Sequence, residues 1–186
     1  MNFIIRSSLL IAMTTTLSCC AMFFEVPATP LQTAAWQGDV AAIQSLVKSG
    51  VSVDEPDDLG SSPLFWAARG GHPFGPHQCH GEDAARPEVL RALLELGANP
   101  NVQDNRPKGF GRASGWTPLF VALHLEQFKS AAVLLEHGAD PNILSDQGMS
   151  AMQVATGEGA PRELIELIRA RGFDAQKART RDSARR

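Results

Sequence analysis

The sequence predicts an all-α repeat solenoid of four helix–turn–helix repeats carrying β-turn fingers. Three observations predict it. A short phrase returns: Thr29-Pro30-Leu31-Gln32-Thr33-Ala34-Ala35 reappears as Ser62-Pro63-Leu64-Phe65-Trp66-Ala67-Ala68 and as Thr117-Pro118-Leu119-Phe120-Val121-Ala122-Leu123, with a worn copy beginning at Ser150. The beat is regular: 33 positions separate Thr29 from Ser62 and Thr117 from Ser150, while 55 separate Ser62 from Thr117. Gly50, Gly97, Gly138 and Gly172 form a second ruler, with spacings of 47, 41 and 34. Against a 33-residue beat, this ruler puts 14 extra residues inside repeat two and 8 between repeats two and three, which accounts for the 22 surplus positions between the motifs. Such self-similarity marks supersecondary units that stack because none can bury its apolar face alone.

The elements follow in order. Repeat one spans about 29–57, repeat two 58–104 with an insert at 73–86, repeat three 105–145 with a finger extended over 105–114, and repeat four 146–174. Thr29, Ser62, Thr117 and Ser150 suit the cap of each first helix, because a hydroxyl accepts an otherwise unpaired N–H. Pro30, Pro63 and Pro118 follow at the first helical position, where the missing N–H costs nothing. The alanine pairs let neighbouring helices approach closely. Second helices carry apolar residues at helical spacing: Ile43, Leu46 and Val47; Val89, Leu90, Leu93 and Leu94, starting at Pro87; Val133, Leu134 and Leu135; Leu164, Leu167 and Ile168. Gly50, Gly97, Gly138 and Gly172 suit the left-handed residue that ends them. Asn99-Pro100-Asn101 and Asp140-Pro141-Asn142 open the turns to the next repeat.

Over residues 29–174 the phrase resembles the Thr-Pro-Leu-His-x-Ala signature of the ankyrin-repeat family. Repeat four departs from it, with Ala151 for Pro and Thr156 for the second Ala, as suits a terminal cap. The resemblance implies a monomeric, non-enzymatic module that binds a protein partner on the concave surface of finger tips and first helices. By register, Ser61, Trp116 and Met149 (before each Thr-Pro-Leu) and Trp36, Gln37, Arg69, His124 and Leu125 (after the small pairs) point there. Arg106, Lys108, Phe110 and Arg112 of the long finger join them as a mixed aromatic and basic patch facing an acidic partner. Trp66 is assigned to the core. The plainer alternative is that Trp36 and Trp116 fold over their own repeats.

Residues 1–19 have the plan of a secretory signal peptide: one early positive charge, then an apolar stretch. The stretch ends in Thr16-Leu17-Ser18-Cys19-Cys20, which resembles the lipobox of bacterial lipoproteins, with Cys19 the lipidated residue and Cys20 the alternative. Leu17 lies two rather than three residues before Cys19, a departure from the usual pattern. Residues 20–28 then form a linker. This implies a bacterial envelope protein, lipid-anchored and facing the periplasm. Two alternatives stay open: an uncleaved inner-membrane anchor over the uncharged residues 7–24, and plain secretion to the periplasm. The 13 arginines against 4 lysines fit a GC-rich bacterial genome.

No metal or other cofactor is expected. The insert does gather His77, Cys79 and His80, ligand types without a paired Cys-x-x-Cys or His-x-x-x-His spacing. With Cys79 the one cysteine outside the lipobox region, a disulfide framework is not expected. Gly109-x-Gly111-x-x-Ser114 lies in a polar loop, not between a strand and a helix, so it is no dinucleotide site. Segment 20–174 holds 11 basic and 19 acidic residues, net −8, which argues against nucleic acid. The tail 175–186 is basic, net +4, and reads as a solvated, disordered end or a contact to anionic lipid.

Three functions are consistent with these features. The first is an envelope-tethered module capturing one protein, in its sharpest form an immunity protein against a toxin effector. The second is an accessory of envelope oxidative-stress defence. The third is a metal or redox sensor built on the His/Cys insert. For the anchor, Cys19→Ala should leave an unprocessed precursor without fatty-acid label. The same result from Cys20→Ala alone would move the site by one residue, and no effect from either would remove the lipid anchor.

Overall fold

Each helical pair opens on a hydroxyl. In the computed structural model, which describes residues 27–58, 60–70, 87–105 and 115–173, the side chains of Thr29, Ser62, Thr117 and Ser150 accept the N–H groups of Gln32, Phe65, Phe120 and Gln153. At Thr29 and Ser150 the glutamine side chain also reaches back to the cap backbone, closing a reciprocal box. Among the described residues the chain forms eight helices and no strand: α1 (Pro30–Gln37), α2 (Val40–Lys48), α3 (Pro63–Arg69), α4 (Pro87–Glu95), α5 (Pro118–His124), α6 (Phe128–Glu136), α7 (Ala151–Gly157) and α8 (Arg162–Ala170). Helix α4 begins at Pro87, as the sequence predicts. The insert 73–86, the leader 1–26, residues 106–114 of the long finger and the tail 174–186 lie outside the described residues. No described helix is long and apolar enough to cross a membrane.

All four second helices end alike. Gly50, Gly97, Gly138 and Gly172 take φ of 98°, 93°, 92° and 89°. The next residues, Val51, Ala98, Ala139 and Phe173, donate to Leu46, Leu93, Leu134 and Ile168, the six-to-one bond of a Schellman end. A Cβ at any of these glycines would meet nothing within 4 Å, so the left-handed backbone alone selects glycine there.

The helices form two layers. The first helices α1, α3, α5 and α7 pack side by side, and α2, α4, α6 and α8 form a second row behind them. The leucine of each phrase (Leu31, Leu64, Leu119) is buried, as are Ala35, Ala68, Ala122 and Ala155 where neighbouring first helices meet. Behind them Leu90, Leu93, Leu134, Leu135 and Ile168 are fully buried. In repeat one Ile43 is buried, but Leu46 is only partly covered because no described repeat precedes it, while Val47 is partly covered like its register mate Leu94.

The fingers repeat one pinch. Asp57 donates its N–H to the carbonyl of Ser61, and its Oδ1 accepts the Ser61 N–H at 2.8 Å. Ser145 and Met149 make the same pair of bonds, again four residues apart. Asp104 and Trp116 make them too, twelve residues apart. Asp104 and Trp116 are therefore bonded as the ends of an ordinary finger are, with eight extra residues between them in sequence. A ladder links the turns. Asp54 accepts from the Asn99 N–H and Asn101 Oδ1 from the Asp140 N–H, while Asn101 and Asn142 donate from Nδ2 to the carbonyls of Gly138 and Gly172.

Trp66, 1% exposed, is among the largest buried side chains. Trp66→Ala should lower unfolding free energy by about 3–5 kcal/mol through the cavity left behind, measured by urea denaturation.

Candidate functional site

Two clusters stand at the finger side of the first helices. In repeat two, Asp57 Oδ2 accepts the Trp66 Nε1–H at 2.9 Å, and the Arg69 guanidinium lies 5.2 Å from the centroid of the Trp66 ring. Finger, core tryptophan and helix end are thereby one assembly. The stacked cation keeps its charge at the surface while its stem covers the ring. In repeat three, Trp116 packs against Phe120 at 6.5 Å and meets the His124 ring edge-on at 4.9 Å and 75°. His124 Nδ1 is 2.8 Å from Glu158 Oε1, an interaction that joins repeats three and four. A carboxylate only accepts, so His124 donates from Nδ1.

Register places Trp36, Arg69 and His124 at one position of successive first helices, and the side-by-side packing of α1, α3 and α5 sets them in a row. Trp36 and Arg69 are half-buried, and Gln37 and His124 are exposed. Leu125 is half-buried against the core. Met149 is 37% exposed, a large apolar side chain left in solvent. Trp116 is less open than an interface tryptophan read from sequence: it is half-buried, and its Nε1 is buried without a partner.

Ser61 is a correction. It is 0% exposed and offers a partner nothing. Its carbonyl accepts from Gln32 Nε2 and its N–H is held by Asp57, so the residue lies beneath the finger. A serine there is too short to emerge, whereas Trp116 and Met149 at the same register are long enough. Arg106, Lys108, Phe110 and Arg112 lie outside the described residues, as do Cys19, Cys20, His77, Cys79 and His80. Among the described residues no group of three or more His, Cys, Asp or Glu side chains could hold a metal.

Asp57 and Glu158 were not legible as site residues. A signal for Asp57 exists: Asp57-x-x-Gly60 and Ser145-x-x-Gly148 share the spacing of an oxygen acceptor to a turn glycine, and Gly60 and Gly148 take φ of 73° and 75°. Glu158 has no such signal, because its partner lies 34 residues away.

Two family models cover this architecture. One, described as ankyrin repeats in three copies, matches residues 77–178. The other, ankyrin repeats in many copies, matches residues 31–75. The chain is similar to the ankyrin repeat protein nuc-2 of Neurospora crassa, 33% identical over 130 residues, which cover 70% of this chain and 10% of that protein. It is also similar to the ankyrin repeat, SAM and basic leucine zipper domain-containing protein 1 of Otolemur garnettii, 29% identical over 130 residues, covering 67% of this chain and 22% of that protein. The chain thus spans between a tenth and about a fifth of these relatives.

The two clusters should differ in energetic weight. Asp57→Ala strips acceptors from the Ser61 N–H and the Trp66 indole and should cost about 2 kcal/mol or more. His124→Ala breaks a partly exposed pair and should cost less than about 1 kcal/mol. Urea denaturation of both variants checks the contrast.

Proposed function

The chain belongs to the ankyrin-repeat family, and we propose that it is an envelope-tethered binding module whose partner docks on the finger-side surface. Ankyrin repeats are protein-interaction modules, typically without enzymatic activity. The observation that carries the choice of surface is the row Trp36, Arg69 and His124, flanked by Trp116 and Met149. Buried leucines and alanines form the core of the stack, and this row adds aromatic and charged groups at its surface. Aromatic and arginine side chains on a rigid frame are the usual anchors of a protein interface.

The tether rests on the leader and its Cys19, which favour a periplasm-facing lipoprotein. The relatives named above are eukaryotic and do not bear on that placement. A toxin effector fits as partner: the aromatic and basic side chains of this surface, Trp36, Arg69 and Trp116 with the basic residues of the enlarged finger, can cover an acidic patch on an incoming enzyme. The partner is a protein, and the module works as a monomer without cofactor.

Membrane-tethered wild-type protein and its Trp116→Ala variant, each used as bait for the envelope or effector proteins of neighbouring cells, test the surface. Trp116→Ala should weaken the captured partner by about 2 kcal/mol or more, roughly thirtyfold in Kd. Arg91→Ala, on the second row of helices, should leave binding unchanged. Equal binding by wild type, Trp36→Ala and Trp116→Ala would rule this surface out.

A further inference from the structure

Among the described residues, one end of the stack is left uncovered. In α2, Leu46 stands four residues before its glycine, as do Leu93, Leu134 and Ile168 in the later repeats. Those three are 0% exposed, whereas Leu46 is only partly covered. Ala42 repeats the contrast: its register mates Val89, Ser130 and Leu164 are buried, and it is not. On α1, Pro30 is exposed and Thr33 half-exposed, where Pro63 and Trp66 are buried. These four positions face the preceding repeat in an ankyrin stack. In repeat one they line a single groove of about 600 Å³ between α1 and α2. A water occupies about 30 Å³ of liquid, so this open groove has room for several side chains.

We propose that the segment Met22-Phe23-Phe24-Glu25-Val26 of this same chain fills that groove and acts as the amino-terminal cap of the stack. The described chain begins at Pro27, and Ala28 already lines the groove. The five residues ahead of it are apolar except Glu25. Extended, they reach about 16 Å, against roughly 12 Å for the length of α1, so they can cover it. Met22, Phe24 and Val26 then share one face, with Glu25 on the other. A second chain or a separate partner would compete against a segment tethered one residue away, whose effective concentration is in the millimolar range. A solenoid also needs its terminal apolar face covered to stay soluble. The assignment rests on the open register positions of repeat one and is independent of the proposed partner.

Photo-crosslinking of the full chain in its membrane, with Phe24 replaced by benzoylphenylalanine, tests it. A link within one chain to the peptide 30–48 is expected. A link to lipid, to a second chain or to no part of that peptide would overturn the assignment. Amide exchange gives a second readout. Phe24→Ala should speed exchange in α1 and α2 about tenfold or more and leave α5–α8 unchanged, as local opening of an end unit does. In a Leu46→Ala background the same substitution should add little. Unchanged exchange in α1 and α2, or an effect undiminished by Leu46→Ala, would also overturn it.

Discussion

No single repeat of this chain can bury its own apolar face, and every other feature follows from that constraint. Helices of seven to nine residues are too short to be stable alone. Leucines at one register and alanines at the next make each pair the wall of its neighbour's core. The small residues are as necessary as the large ones, since Ala35, Ala68, Ala122 and Ala155 are all buried where first helices meet. The constraint also explains the ends. Leu46 is half-covered where its register mates are fully covered, while repeat four finishes with charged Arg162, Glu163 and Glu166 exposed on α8.

Polar bonds set the spacing that apolar packing leaves free. Each finger is closed by the same pair of bonds to Asp57, Asp104 or Ser145, and each turn is tied onward through Asp54, Asn101 or Asn142. The eight surplus residues of the long finger lie between Asp104 and Trp116, whose bonds to each other are those of a four-residue finger. Lengthening a surface loop adds little closure entropy. One position shows strain: Glu126 takes φ 58° where repeats one and four place Gly38 and Gly159 at 83° and 70°. A left-handed residue with a side chain costs about 1–2 kcal/mol. Next to it, buried Gln127 donates to the Arg69 carbonyl and ties repeat three to repeat two.

The finger-side surface combines rigidity with chemistry. Trp66 is held at its ring nitrogen by a finger carboxylate, and Arg69 is laid on its face. Trp116 and His124 brace each other, and Glu158 of the next repeat holds the imidazole. Side chains fixed in this way lose little conformational entropy when a partner arrives, which is how a rigid surface gains affinity.

The sequence by itself determined the repeat period, the helix starts at Thr29, Ser62, Thr117 and Ser150, the glycine ends and the burial of Trp66. These are local or periodic properties. A hydroxyl cap, a proline at the first turn and a left-handed glycine act within a few residues, and four copies make the register readable. Only the tertiary structure decided which residues at one register emerge. Ser61, Trp116 and Met149 share a position, yet one is buried, one half-buried and one exposed. That outcome depends on side-chain length against the finger above and on what the adjacent repeat presents. The bond from His124 to Glu158 and the open groove beside Leu46 were equally beyond a linear reading, because each is a relation between repeats and not a property of one.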